Sequence, residues 1–168
     1  MIHILNKVFL IVFLMANILI AEDNYLNIDA TFFEADEKQG LLFFKGNVVL
    51  TKNNDILKAQ RLVINTIPSK NNPKKKIPKD YTATGNVTFT IHTKDNIFNG
   101  RGDSVFYNPI DKKYIIIGNG YLEEKKEGKK LSANKIYIDE KTGRTKIDGD
   151  KNKPVKFRLR LNDNLEKK

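Results

Sequence analysis

The sequence predicts an all-β protein assembled from four copies of one strand–turn–strand unit, and three observations carry this. Gly46-Asn47-Val48-Val49-Leu50-Thr51 recurs as Gly85-Asn86-Val87-Thr88-Phe89-Thr90, then in reduced form as Gly118-Asn119-Gly120-Tyr121-Leu122 and around Gly149. A second marker precedes each copy: a small residue, an apolar residue three positions on, and Asp or Asn at six, with a second apolar residue at five in three of the four copies. It reads Ala30, Phe33, Ala35, Asp36; Ala59, Leu62, Ile64, Asn65; Gly102, Val105, Tyr107, Asn108; and Ala133, Ile136, Ile138, Asp139. Ala30 to Gly46, Gly102 to Gly118 and Ala133 to Gly149 are sixteen positions each, and Ala59 to Gly85 is twenty-six, so one unit carries a ten-residue insertion. Equal offsets of this kind mark a structural repeat.

The third observation is alternation. Ala83, Gly85, Val87, Phe89 and Ile91 fall on one side of a strand, and Thr84, Asn86, Thr88, Thr90 and His92 on the other. That is the period of a half-buried strand. Asp139-Glu140-Lys141-Thr142-Gly143 follows Ile136-Tyr137-Ile138 as a hairpin turn, with Asp to open it and Gly to take positive φ; Asp36 and Gly40 repeat the device. A lone hairpin cannot bury its apolar face, so the units must stack or close on one another as a sandwich or barrel.

The first twenty-one residues differ from the rest. Lys7 and His3 precede an apolar run from Val8 to Ile20, interrupted by Asn17, and Ala21 stands before Glu22-Asp23. The run is short for a membrane span, which takes about 20 apolar residues. A positive start, an apolar core and a small residue read as a secretory signal over 1–21, with an uncleaved anchor as the alternative. An exported chain with 0 cysteines has no disulfide to lean on. Residues 22–161 suffice for a single domain with one sizeable core.

Residues 67–79 form the insertion, where Pro73, Pro78 and the four lysines of its central stretch 71–79 predict a mobile loop, either a solvated one or a cationic arm for anionic headgroups. Pro154 opens Val155-Lys156-Phe157-Arg158-Leu159-Arg160-Leu161, an unbroken alternation predicted as the last strand, and 162–168 read as a frayed tail.

Chemistry has little to draw on. Arg101-Gly102-Asp103-Ser104 spells an adhesion tripeptide but coincides with the repeat marker, and Asn86-Val87-Thr88 is a sequon by accident of the Gly-Asn-Val turn. Beyond residue 21, His92 is the one histidine, on the polar side of its strand, which leaves no basis for a histidine metal site or a catalytic triad. The carboxylate pairs Asp36/Glu37, Glu123/Glu124 and Asp139/Glu140 lie in turns or beside charge runs, so no enzymatic role and no cofactor is expected. The net charge of +10 favours an anionic glycolipid or membrane surface over nucleic acid, because the aromatics share faces with core residues.

The ordered repetition of Ala-x-x-apolar-x-x-Asp/Asn, a hairpin and Gly-Asn-Val-x-apolar-Thr, after a signal peptide, resembles the LptA/OstA-like family of periplasmic lipopolysaccharide-transport proteins, over about residues 24–161. The resemblance implies an open β-jellyroll that shelters lipid A acyl chains and associates head to tail. It also implies an inner-membrane-anchored jellyroll partner and the N-terminal jellyroll of an outer-membrane translocon. The inward frame of the strands then supplies candidate lipid-lining residues: Phe44, Val48, Leu50, Leu62, Ile64, Val87, Phe89, Ile91, Val105, Tyr107, Ile116, Ile136 and Ile138. Any β-sandwich would place the same residues in its core. Gly120 departs from the repeat, standing where valine is expected, and predicts a gap in the interior wall. Two further readings remain: the anchored partner of the same system, with residues 2–21 retained, and a closed structural envelope module that binds no lipid.

Overall fold

A computed structural model describes residues 25–161. Ten strands appear among the described residues: β1 (Asn27–Asp29), β2 (Phe32–Asp36), β3 (Leu41–Lys52), β4 (Asp55–Pro68), β5 (Lys76–His92), β6 (Ile97–Asn108), β7 (Lys113–Glu124), β8 (Lys129–Asp139), β9 (Arg144–Asp148) and β10 (Lys156–Arg158). They make one antiparallel sheet in the order β1-β3-β4-β5-β6-β7-β8-β10, with β2 also beside β3 and β9 also beside β8. The sheet does not close on itself. The predicted signal segment and tail lie outside the described residues.

The repeated Gly-Asn is where the sheet bends. Gly46, Gly85 and Gly118 have φ of 83°, 85° and 74°, and the asparagines that follow have φ of 47°, 49° and 50°. Two consecutive left-handed residues cannot continue a ladder, so each pair forms a bulge at which the register slips. Glycine takes this conformation freely and asparagine tolerates it, which is why this dipeptide is the one repeated. A side chain at Gly85 would strike Gln60, and one at Gly118 would strike Asp103. Gln60 and Asp103 each follow the small residue of the second marker. The two motifs are therefore opposite sides of one irregularity. On β4 the inward residues run Leu57, Ala59, then Leu62 and Ile64, and on β8 they run Leu131, Ala133, then Ile136 and Ile138. The three-residue step in the marker is this change of phase.

The bulges divide every long strand into a first arm and a second arm. The first arm carries the turns at 37–40, 109–112 and 140–143, and the second arm the turns at 53–54, 93–96 and 125–128. Gln39 N donates to Asp36 Oδ1 (3.0 Å) and Thr142 N to Asp139 Oδ1 (3.1 Å), with Gly40 and Gly143 both at φ 68°, as the turn chemistry predicts. Both edges of the sheet break at the same line. β1 pairs with the second arm of β3 and β2 with the first; β9 pairs with the first arm of β8 and β10 with the second.

Three expectations need correction. Residues 67–79 are not one loop: Ile67 pairs with Ile77 and Pro68 with Lys76, leaving a turn closed by Ser69 N donating to Lys75 O (2.7 Å). Pro78 is accommodated because it adjoins a register shift between Asn65 and Thr66. The last strand is shorter than its alternation implies, since only Lys156–Arg158 enters the ladder. Gly120 leaves no gap either. It is buried, and an added Cβ would lie 2.9 Å from the Ala133 carbonyl oxygen, 3.3 Å from Ile136 Cδ1 and 3.5 Å from Ile116 Cγ2, so neighbouring isoleucines fill the valine's place.

Candidate functional site

Across the sheet the register sets the inward residues in continuous rows. In the second arm, one row runs Ile28, Leu50, Leu57, Phe89, Gly100, Leu122, Leu131, Phe157. The first arm holds Phe33, Phe44, Leu62, Ala83, Val105, Ile116, Ile136, Ile147. Beside it, Leu42, Ile64, Tyr81, Tyr107, Tyr114 and Ile138 form another. The bend line is a row of smaller residues: Val48, Ala59, Val87, Gly102, Gly120 and Ala133.

All of the predicted lining residues share this inner surface. Val48, Leu62, Ile64, Val87, Phe89, Val105, Ile116 and Ile136 are buried in one cluster, and Phe44, Leu50, Ile91 and Ile138 pack half-buried against it. Tyr107 joins them through stacked rings, 6.0 Å from Tyr81 and 4.2 Å from Tyr114. Burying each large apolar side chain stabilises the fold by about 1.5–3 kcal/mol. Leu57, Leu122, Leu131, Ile28 and Tyr81 belong to the same surface and were not anticipated. For three of them a signal was present: Ile28, Leu57 and Leu131, like Gly100, each stand two positions before the small residue of the marker.

The two arms face one another across a cleft of about 220 Å³. Leu50, Leu57, Phe89 and Ile91 line it from the second arm; Leu62, Ala83, Val105 and the three stacked tyrosines line it from the first. Lys52, Asp55 and Thr90 add polar groups to its lining. Burial, with the neighbouring Tyr107 as a lesser cause, raises the pKa of the Tyr81 and Tyr114 hydroxyls, so both remain neutral in this apolar setting.

Among the described residues no cluster of His, Asp and Glu could hold a metal ion. His92 Nδ1 lies 3.4 Å from Asp55, and Asp36 and Asp139 cap their turns. Glu123 is held below the usual carboxylate range by its bond from Lys125, with Lys130 adding to the effect. What the arrangement offers is apolar area in contact with water-excluding aromatic rings, which suits an aliphatic chain.

Comparison with known proteins agrees with this geometry. A search of curated protein sequences gives no match. Among solved structures, the fold resembles LptH from Pseudomonas aeruginosa, described as the LptA homologous periplasmic component of a lipopolysaccharide transport device. The TM-score is 0.67 at 15% identity, covering 83% of this chain and 98% of that one. At that identity the likeness establishes the jellyroll fold. Residues 27–144 match the family described as LptA/(LptD N-terminal domain) LPS transport protein. With most of the sheet inside that match, the chain belongs to this family of lipopolysaccharide transport proteins.

Proposed function

We propose that the protein is a periplasmic carrier that holds the lipid A acyl chains of lipopolysaccharide between the two arms of its sheet and forms part of a bridge between inner and outer membranes. The observation that carries this is the course of the apolar rows, which run from edge to edge of an unclosed sheet. At each edge one of the rows ends exposed: the first-arm row at Phe33 (55%) on the β2 side and the second-arm row at Phe157 (62%) on the β10 side, while their opposite ends, Ile147 and Ile28, are half-buried. A core that served stability alone would end in polar or covered positions. The energetics favour a sheltered route: each CH₂ removed from water is worth about 0.8 kcal/mol, so a chain of about a dozen carbons gains on the order of 10 kcal/mol.

On this reading the ligand-lining residues are the thirteen named from the sequence, extended by Leu57, Leu122, Leu131 and Tyr81. Jellyroll partners at either edge, an inner-membrane-anchored one and the N-terminal domain of the translocon, would continue the rows, as would a second copy placed head to tail. The apolar run Val8–Ile20 also admits a variant, in which the segment is retained and the protein is itself the anchored partner. The mature N-terminus decides between the two: it begins near Glu22 in a soluble carrier and at Met1 in an anchored one.

Photo-crosslinking tests the principal reading. A photoreactive residue at Phe89 captures cell-borne lipopolysaccharide, while one at Thr88, on the opposite face, does not. Equal capture at both positions, or none at Phe89, overturns it and leaves a closed envelope module.

A further inference from the structure

A second concavity lies on the outer face, at the bend line near the C-terminal edge. Arg101, Tyr121, Ser132 and Lys156 occupy one cross-strand row on β6, β7, β8 and β10. The segment between β9 and β10 folds back over that row and adds Asn152, Lys153 and Pro154, enclosing a cleft of about 300 Å³ with Asn119 at its side. Three cations and no carboxylate line it.

Two of the three cations, Arg101 and Lys153, are held in position. Arg101 lies over the Tyr121 ring, with Cζ 5.0 Å from the centroid, which fixes the guanidinium plane and leaves its N–H edges free. Lys153 Nζ donates to Asn119 Oδ1 (3.0 Å), and Asn119 sits in the left-handed bulge of β7. The covering segment is a tight turn: Asp150 Oδ1 accepts from Asn152 N (2.8 Å) and Lys153 N (2.7 Å), and Asp150 N donates to Lys153 O (2.9 Å). Gly149 lies so close to this turn that a Cβ would meet Val155 N at 2.8 Å. The carboxylates bonded to these residues are already engaged, Asp150 by the turn amides and Asp103 by Asn119 Nδ2 (3.0 Å).

We propose that this cleft is a binding site for the phosphate monoester of a saccharide. A phosphate dianion matches three convergent cations and the Ser132 hydroxyl better than a singly charged carboxylate does. The side-chain amide of Asn152 and the Tyr121 hydroxyl supply donors and acceptors for sugar hydroxyls, and the cleft is roomier than a bare phosphate needs. This site faces away from the interior between the arms, so it is independent of what that interior holds.

Amide-resolved titration of the full chain with glucosamine 1-phosphate, at about physiological salt to suppress diffuse charge effects, tests the proposal. The expected result is saturable shifts confined to Asn119, Gly120, Ser132 and Asn152, and none with unphosphorylated glucosamine. Replacing Arg101→Gln and Lys156→Gln together weakens binding by at least about tenfold, the loss of two charge-assisted bonds. Lys146→Gln, a cation elsewhere on the outer face, leaves it unchanged. Shifts that are absent, spread over the whole basic surface, or undiminished in the double variant overturn the proposal. Intact and dephosphorylated lipopolysaccharide then identify the source. If the double variant weakens capture of the intact form alone, the phosphate is the glycolipid's; if capture is unchanged while glucosamine 1-phosphate binding is lost, it is a free sugar phosphate. An interior substitution that abolishes acyl-chain capture leaves glucosamine 1-phosphate binding in place, so the two readings fail separately.

Discussion

The ring of Phe89 lies across Gly100, its partner on the neighbouring strand, and occupies the space where any other residue at position 100 would place its Cβ. An aromatic ring laid over a cross-strand glycine covers an otherwise bare stretch of backbone. Gly100→Ala should therefore lower stability by about 1–3 kcal/mol through overpacking. In a Phe89→Ala background the same change should cost almost nothing, a coupling within the usual range of about 0.5–3 kcal/mol for contacting residues. Urea unfolding of the four proteins gives the cycle, and equal costs in both backgrounds would refute the contact.

Phe89 also separates the two faces of β5. Phe89→Asp places a charge in the buried cluster and should reduce lipopolysaccharide capture by about tenfold or more, because an unpaired buried charge costs several kcal/mol. Thr88→Asp, on the exposed face, should leave capture nearly unchanged. Circular dichroism must show both variants folded, and equal losses would mean that the apolar face is not the ligand surface.

Asn86 is exposed and left-handed, so it isolates backbone strain from packing. Asn86→Val should destabilise by about 1–2 kcal/mol, the cost of forcing a β-branched residue into that region. Asn86→Gly should change stability by less than about 0.5 kcal/mol. Similar urea midpoints for the two variants would show that the bulge tolerates other geometries.

The raised pKa of Tyr114, caused first by burial and then by Tyr107 and Glu140, has a definite sign in pH. The folded state holds the phenolic proton more tightly than the unfolded chain, whose tyrosine titrates near 10.0. The contribution is complete below that value and is lost as pH rises above it towards the folded pKa. Melting temperature should fall above about pH 10, and Tyr114→Phe should make the fall shallower. Tyr81 shares the direction of shift, so part of the slope should persist. An unchanged slope in Tyr114→Phe would argue that its hydroxyl is not buried in solution.

If copies associate head to tail through the C-terminal edge, a chain ending at Lys153 should remain folded and associate more weakly. β10 pairs only with β8 among the described strands, and Val155, Phe157 and Leu159 are exposed. Sedimentation from dilute to concentrated protein compares the two chains, and identical association would move the contact elsewhere.

Much of this architecture was legible in the chain because the repeat is written in backbone-demanding residues. Gly85-Asn86 and Ala59-x-x-Leu62 reveal a bend and a phase change even though neither residue pair touches the other in sequence. The turns at Asp36–Gly40 and Asp139–Gly143 follow from capping and positive φ alone. Less legible was whatever depends on a neighbour strand. Ile116 and Ile136 lean into the space left by Gly120, and no spacing within β7 announces that. The pairing of Pro68 with Lys76 depends on a register shift at Asn65 that lets Pro78 go without a donated bond. Leu131 and Leu57 lie before the change of phase, so the forward spacing that leads from Ala133 to Ile136 and from Ala59 to Leu62 does not reach them.

The broken edges have a further meaning. Because β1 and β2 part at Ala30–Thr31, and β9 and β10 part across Gly149–Val155, each rim presents two short ladders set at an angle. A straight strand from an unrelated chain can engage only one of them at a time, and so gains half the available pairing. A strand carrying the same kink engages both. The consequence is protective: a rim broken in this way offers no long straight ladder to the indiscriminate strand addition that leads to aggregates.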